Sequence, residues 1–260
     1  EKLKQFGVAN VDENMKIENF IEKPSNPKEL PSRLVNTGIY VLSKDFVKFL
    51  RSSEFNEMLK QGKGDFGKDV IPYLISKKYK VMGYVSNGYW FDVGTLDSFM
   101  EASYYLLNNI EKERLDVETT YKNVYMQGKS KRSKNDHIEL IEKIATNKVQ
   151  FEGKNLIGRH VKIGENVKMF SSVVDNYTVI KGENEIRNSI IMDRSLIENG
   201  AIVEKSIIGR HVKIGENVKI INSHLGNNVI IGDETQIINS SIWPHRTIES
   251  KSIISDKKII

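Results

Sequence analysis

The sequence predicts an α/β segment followed by a parallel β-helix built of hexapeptide repeats. Three observations carry that prediction. Residues 1 to about 110 alternate strand-like and helix-like runs, the pattern of an α/β layer. From about residue 151 an aliphatic residue returns roughly every six positions, often followed by Gly. The segment Ile157–Lys168 recurs letter for letter at Ile208–Lys219, an offset of 51 residues. A period of six is neither helical nor a simple strand alternation. It suits short flat faces, three to a coil, whose anchors are buried against the coils above and below.

In chain order, Lys4–Val11 and Lys16–Ile21 read as strands joined by the turn-forming Asp12-Glu13-Asn14. Pro24, Pro27 and Pro31 mark a loop, and Leu34–Leu42 is β-rich. Ser43 or Asp45 can cap a helix over Phe46–Leu50, and further helices are expected over Glu54–Gln61 and Val70–Lys77. Lys80–Val85 and Tyr89–Val93 look extended. Leu96–Ile110 is an amphipathic helix, with Leu96, Phe99, Met100, Ser103, Leu106, Leu107 and Ile110 on one face. The predicted division is 1–110, a polar linker over 111–150, and the β-helix over 151–260. The basic run Lys129–Lys134 is read as a solvated part of that linker. At roughly 18 residues per coil, about six coils are expected. Because 51 is not a multiple of six, one coil should carry a deletion or a loop, with Lys181–Glu185 the candidate.

Composition narrows the function. The 260 residues include 39% hydrophobic and 28% charged residues, enough to bury a core. No apolar run approaches the length of a membrane span, and no basic region followed by an apolar one opens the chain, so neither a membrane protein nor a secretory leader is expected. There is no Cys, which excludes disulfides, thiolate metal sites and thiol nucleophiles and fits a cytoplasmic protein. Net charge is +5, a mild bias towards anionic ligands such as phosphates and too weak to imply nucleic acid.

Four segments in order give the first half its meaning: Phe6-Gly-Val…Asp12…Phe20-Ile-Glu-Lys-Pro24, Asn36-Thr-Gly-Ile-Tyr40, Asp65-Phe-Gly-Lys-Asp-Val-Ile-Pro72 and Tyr89-Trp-Phe-Asp-Val-Gly-Thr95. Together they resemble the sugar nucleotidylyltransferases, and within them most closely glucose-1-phosphate adenylyltransferase. The resemblance implies the latter part of an α/β Rossmann-like nucleotidyltransferase domain followed by a left-handed parallel β-helix. It also implies a reaction in which a nucleoside triphosphate and a sugar 1-phosphate, here ATP and glucose 1-phosphate, give a nucleotide sugar and pyrophosphate. By that resemblance Lys23 holds the sugar's phosphate and Glu22 accepts hydrogen bonds from its hydroxyls. Gly7 permits close approach of the backbone, Asn36 adds a polar contact, Asp65 and Phe66 line the sugar pocket, and Trp90 forms a wall. Asp92 is implied as a carboxylate ligand of Mg²⁺. Such charge suits the chemistry, because two anionic reactants must be held together while charge builds on the transferring phosphoryl group.

The resemblance further implies a glycine-rich nucleotide loop and a second metal carboxylate. Neither is found in these residues, so the chain reads as N-terminally truncated and inactive by itself. Gly62-Lys-Gly-Asp-Phe-Gly67 fits a dinucleotide fingerprint in spacing, but it follows a helical pattern rather than a strand. A homo-oligomer, with a tetramer favoured, is also implied. Alternatives are the same reaction with GTP and mannose 1-phosphate or dTTP and glucose 1-phosphate, and a non-catalytic regulatory paralogue. Ser241-Ile-Trp-Pro244 is similar to archaeal relatives of broad specificity. A hexapeptide acyltransferase using His160, His211, His224 or His245 as general base is a further rival.

Overall fold

The computed structural model describes residues 2–26, 30, 32–111 and 115–260. Pro27 and Pro31 of the expected loop lie outside them. The chain divides into two compact units, Glu1–Asp92 and Val93–Ile260.

The first unit carries a three-stranded antiparallel sheet. Strand β1 (Val8–Val11) lies between β2 (Ile17–Ile21) and β3 (Leu34–Val35). Asp12 makes the β1–β2 turn, as its side chain accepts from the amides of Asn14 and Lys16. Helix α1 (Lys44–Leu50) is capped by Ser43 and α2 (Ser53–Lys60) by Ser52, each hydroxyl accepting from the amide three residues on. A π-helical turn, Phe66–Val70, then leads into α3 (Ile71–Ser76). Phe49, Met58, Val70 and Leu74 form the core beneath these helices, with Phe46, Phe55 and Tyr73 packed against it. Three expected extended segments differ. Beyond Val35 no strand continues to Leu42: Ile39, Val41 and Leu42 are exposed and make no ladder among the described residues, and β propensity without a partner does not make a strand. Of Lys80–Val85 and Tyr89–Val93, the structure keeps one isolated bridge, Lys16 to Met82.

The second unit opens on α4 (Leu96–Asn108), whose Thr95 and Ser98 form a reciprocal capping box. Residues 111–150 are more than a linker. They hold an antiparallel hairpin, β4 (Val117–Tyr121) with β5 (Val124–Gln127), and a helix α5 (Lys131–Ala145) capped by Ser130, so most of the basic run is helical. Val124, Met126, Leu140 and Ile144 close the end of the β-helix core.

From Val149 to Ile259 the chain winds into a parallel β-helix whose strands fall into three sheets. The coil is 17 residues, not 18: Val173 pairs with Ile190, Ile190 with Ile207 and Ile207 with His224. The duplication offset of 51 is therefore three whole coils, and Lys181–Glu185 carries no deletion. The missing residue is at one corner. Four residues separate Val174 from Val179 and Ile180 from Glu185, but two separate Arg187 from Ile190. That tight corner is what the Asn-Ser pairs encode. Asn188, Asn222 and Asn239 take left-handed φ of 46°, 46° and 48°, which Asn tolerates better than most residues. The buried Ser that ends this corner in each coil, after Asn or after Ser171 and Lys205, builds a ladder: Ser172, Ser189, Ser206 and Ser223 accept at Oγ from the amide of the Ser one coil on, at 3.2, 3.2, 3.1 and 3.0 Å. A hydroxyl that accepts from one coil and donates to a carbonyl of its own coil satisfies a buried corner without water.

Helix α4 runs along one outer face. Leu107 clusters with Leu156 and Val173 of the first coils, while Asp97 in its first turn is close enough to bias His224, four coils on from Leu156. Thirteen helical residues span about 20 Å and four coils about 19 Å, so the lengths match. This cover explains why Ile190 and Ile207 are buried although their neighbours Ile191 and Ile208 are the ones in the interior core.

A partly buried polar cluster ties α5 to the first coil. His160 Nδ1 lies 2.9 Å from Asp136 Oδ2, Lys162 Nζ 2.6 Å from Asp136 Oδ1, and Lys143 bridges Glu139 and the Ile163 carbonyl. Burial would raise the Asp136 pKa, but hydrogen bonds from Lys162 and His160 hold it below the usual carboxylate value. A carboxyl lowered in the folded state stabilises above its unfolded pKa, about 3.9, and loses that effect as pH falls through the folded value. Asp136→Ala should cost about 1–3 kcal/mol at pH 7, because it leaves the mostly buried His160 Nδ1 without its partner, whereas the half-exposed Lys162 keeps Glu139. In urea unfolding followed by circular dichroism, the gap between wild type and variant should shrink below about pH 4. A gap constant with pH would contradict the clamp. No helix among the described residues is long and apolar enough to cross a membrane.

Candidate functional site

The antiparallel ladder assembles the site. Val8 pairs with Ile21 on one side and Val35 on the other, so Phe6-Gly7, just before β1, sits between the residues that leave β2 and β3. The Phe6 carbonyl accepts from the Lys23 amide at 3.2 Å, and the Gly7 carbonyl accepts from the Asn36 amide at 2.8 Å. Four predicted residues, Gly7, Glu22, Lys23 and Asn36, are thereby brought together by backbone hydrogen bonds alone.

Each side chain then has a defined setting. Lys23 adopts φ 47°, unusual for a residue with a Cβ, and its exposed ammonium forms no ion pair among the described residues. Glu22 is half-buried, and its carboxylate has no hydrogen-bond or ion-pair partner among the described residues. It lies in a slot between two glycines: a Cβ added at Gly7 would be 2.6 Å from Glu22 Oε2, and one at Gly67 2.5 Å from the same atom. The same Cβ at Gly7 would also meet the buried Phe20 ring at 2.5 Å. Gly7 thus makes room for Phe20 and Glu22, where the sequence suggests room for a ligand. Asn36 is held at both ends of its amide. Oδ1 accepts from the Gly38 amide at 3.1 Å and Nδ2 donates to the Tyr40 hydroxyl at 2.6 Å.

The π-helical turn supplies the second wall, packed against β2. Asp65 is its cap: Oδ1 accepts from the Lys68 amide at 2.7 Å, while the Asp65 amide donates to Asp69 Oδ2 at 3.0 Å. One carboxylate oxygen of Asp65 is thus used structurally. Phe66 joins the site through its ring, 4.7 Å from that of Tyr40 and 5.6 Å from that of Phe46. Trp90 meets Phe6 edge-to-face with centroids 5.2 Å apart, which brings the 89–92 segment against the residue before Gly7. Asp92 follows, exposed and without a partner among the described residues. Tyr40 and Gly67 were not singled out in the sequence, although both lie inside the quoted motifs.

For Mg²⁺, no group of three or more candidate ligands exists among the described residues. Asp92 offers one free carboxylate. Mg²⁺ keeps several waters and commonly takes one or two carboxylates plus substrate phosphates, so this donor fits a metal completed by substrate rather than a protein cage.

A separate concavity of about 540 Å³ lies on α2 and α3. Its acids are already engaged: Glu54 accepts from the Tyr73 hydroxyl, whose pKa is thereby pushed up to about 12, Glu57 pairs with Lys60, and Asp69 serves the turn. It is not the candidate site. The histidines have structural places. His160, His211 and His245 stand at the same corner of different coils with φ 59°, 56° and 61°, and His160 is bound to Asp136. His224 is in a strand, its pKa lowered by burial and partly restored by Asp97.

Comparison with known proteins finds two matched segments. Residues 1–109 match the family model described as nucleotidyl transferase, and residues 147–260 match that of the GMPPB C-terminal domain. The chain is 33% identical over 175 residues to a glucose-1-phosphate adenylyltransferase of Mycoplasma mobile, covering 64% of this chain and 43% of that protein. It is 42% identical over 106 residues to the one from Clostridium acetobutylicum, covering 40% and 26%, and 40% identical over 118 residues to that of Geobacillus stearothermophilus, covering 45% and 28%. The chain thus spans well under half the length of these relatives. Residues 1–109, with Gly7, Glu22, Lys23, Asn36, Asp65 and Phe66 gathered around the ends of β1, are thus similar to the nucleotidyl transferase family and are followed by a parallel β-helix.

Proposed function

We propose that this site binds a sugar 1-phosphate for nucleotidyl transfer, with glucose 1-phosphate as the sugar and ATP as the donor, giving ADP-glucose and pyrophosphate. The observation that carries it is the pairing of an ammonium, Lys23, with a half-buried carboxylate, Glu22, at the exit of one strand, both unpaired among the described residues. A phosphate requires the first and sugar hydroxyls the second. The choice of ATP and glucose rests on similarity to proteins named glucose-1-phosphate adenylyltransferase.

In this reading Lys23 places its charge on the phosphate that becomes the nucleophile, and Lys acts there as a point charge. Glu22 and the Asn36 amide fix the sugar ring, so the phosphate oxygen is aimed rather than merely held. Phe66 and Trp90 exclude water from the apolar faces of the sugar. Asp92 is the residue to hold Mg²⁺, which when bound neutralises charge on the transferring phosphoryl group.

Titration calorimetry of this chain tests the ligand class. Glucose 1-phosphate should bind at least about tenfold more tightly than glucose or inorganic phosphate, because each fragment meets half of the site. Equal affinity for glucose 1-phosphate and phosphate would refute a sugar site.

A further inference from the structure

The slot around Glu22 assigns a role to a residue that makes no polar contact through a side chain. We propose that Gly67 is a positioning residue for Glu22: the π-helical turn presses its Cα against the carboxylate, and the absence of a Cβ there creates the space in which Glu22 meets sugar hydroxyls. This rests on the reading of Glu22 as a sugar ligand.

Gly67 is buried, and a Cβ there would stand 2.5 Å from Glu22 Oε2, nearer than real Cβ atoms approach, and in tight contact with Glu22 Cδ at 3.1 Å. The opposing wall is Gly7, where a Cβ would stand 2.6 Å from Oε2. The carboxylate is therefore flanked on two sides, with no hydrogen bond among the described residues to hold it. The turn cannot retreat easily. Asp65 locks it at both ends, through the Lys68 amide and Asp69, and Val70, its last residue, is fully buried in the first unit's core. π-Helical turns are rare and concentrate at functional sites. Here the wider turn follows directly from the Asp65 cap, with the amides of Asp69 and Val70 both donating to the Asp65 carbonyl. An α-helical turn would not share that carbonyl in this way and would rotate residue 67 relative to β2. The motif Asp65-Phe66-Gly67 thus acts as a unit. Asp65 sets the turn, Phe66 anchors it in the aromatic cluster, and Gly67 leaves the gap.

The size of the gap also selects the acid. A Glu reaches it, while an Asp at position 22 carries its carboxylate one methylene back, clear of an added Cβ at position 67.

Gly67→Ala should weaken glucose 1-phosphate binding roughly 10- to 100-fold by calorimetry, the worth of a hydrogen bond to a charged group. Binding of inorganic phosphate, which meets Lys23, should stay within about twofold. In a Glu22→Gln background the further loss on Gly67→Ala should be similar, since the amide is the same size, whereas in Glu22→Ala it should vanish. Affinity alone does not separate a displaced Glu22 from a misfolded turn in Gly67→Ala, so two more readouts are paired with it. Glu22→Asp in the Gly67→Ala background should restore the melting temperature towards wild type. The ¹³C resonance of the Glu22 carboxyl should shift in Gly67→Ala, whatever the protein binds. Equal losses for phosphate and glucose 1-phosphate, or an additive Gly67→Ala effect in Glu22→Ala, would overturn the proposal. An unmoved Glu22 resonance would do the same. If wild type binds no sugar phosphate while that resonance does move, the sugar reading fails and the positioning survives.

Discussion

Gly209→Val should break the cooperative unfolding of the β-helix. Even a single Cβ at Gly209 would lie 2.7 Å from the Gly226 carbonyl carbon and 2.8 Å from the Asn227 nitrogen. Both are backbone atoms of the next coil, so no rotamer change relieves the contact. The coils are held at that spacing by Gly209 donating to the Leu225 carbonyl at 2.8 Å and by Gly226 donating to Ile242 at 2.8 Å. Separating them exposes buried amides at about 1–3 kcal/mol each and adds overpacking strain of similar size. The sum, about 3 kcal/mol or more, is a large part of the 5–15 kcal/mol that stabilises an ordinary domain. The urea midpoint followed by circular dichroism should fall sharply. Arg210→Ala, which removes an exposed pair with Asp193, should change stability by less than about 1 kcal/mol. Equal effects of the two substitutions would contradict the stacking account. The repeated Ile-Gly of the sequence is therefore a spacing rule: Ile fills the interior and Gly lets the next coil pass.

Lys23→Ala carries the second large effect. The ammonium has no protein partner among the described residues, so its removal leaves no buried charge behind and should barely alter stability. Its loss should be felt by ligand alone. A charge-assisted hydrogen bond to phosphate contributes about 1.5–3 kcal/mol, or roughly 10- to 150-fold in affinity. Lys23→Ala should therefore weaken glucose 1-phosphate and inorganic phosphate alike. Glu22→Gln should weaken glucose 1-phosphate and spare phosphate. Calorimetry of the four combinations separates the roles, and a Lys23→Ala variant that keeps wild-type affinity for both ligands would remove Lys23 from the site. Lys23→Gly offers a structural control. It drops the charge but accepts φ 47° without strain, so it should match Lys23→Ala in binding and exceed it slightly in stability.

The β-helix was readable because every coil repeats one burial pattern. Ile163, Ile180, Ile197, Ile214 and Ile231 recur at one interior position, and the Asn-Ser pairs were visible beside them. Their meaning was not, since a two-residue corner and a six-residue face produce the same local signal. The 17-residue spacing of these Ile residues and the 51-residue duplication already hold the period, and pairing between coils shows it to be one whole turn. Helix α5 escaped notice for a different reason. Its buried stripe is Ser133, His137, Leu140 and Ile144, with only two aliphatic residues in a strongly charged stretch. Ser133 and His137 are buried by hydrogen bonds, the latter to Thr119 and the Gln127 carbonyl, which hydrophobic periodicity does not register. In the site, the structure brings the motif residues Gly7, Glu22, Lys23 and Asn36 together because β1 lies between β2 and β3, so the ends of both neighbours meet the start of the central strand. The slot between Gly7 and Gly67 spans 60 residues of sequence and depends on a π-helical turn, which no residue pattern announces.

The account stands or falls on where a sugar phosphate binds. Amide chemical-shift mapping of this chain with glucose 1-phosphate asks that directly. The account predicts perturbations centred on Gly7, Lys23, Asn36 and Gly67, and a quiet β-helix. Perturbations confined to the concavity between α2 and α3, or none at saturating ligand, would contradict it.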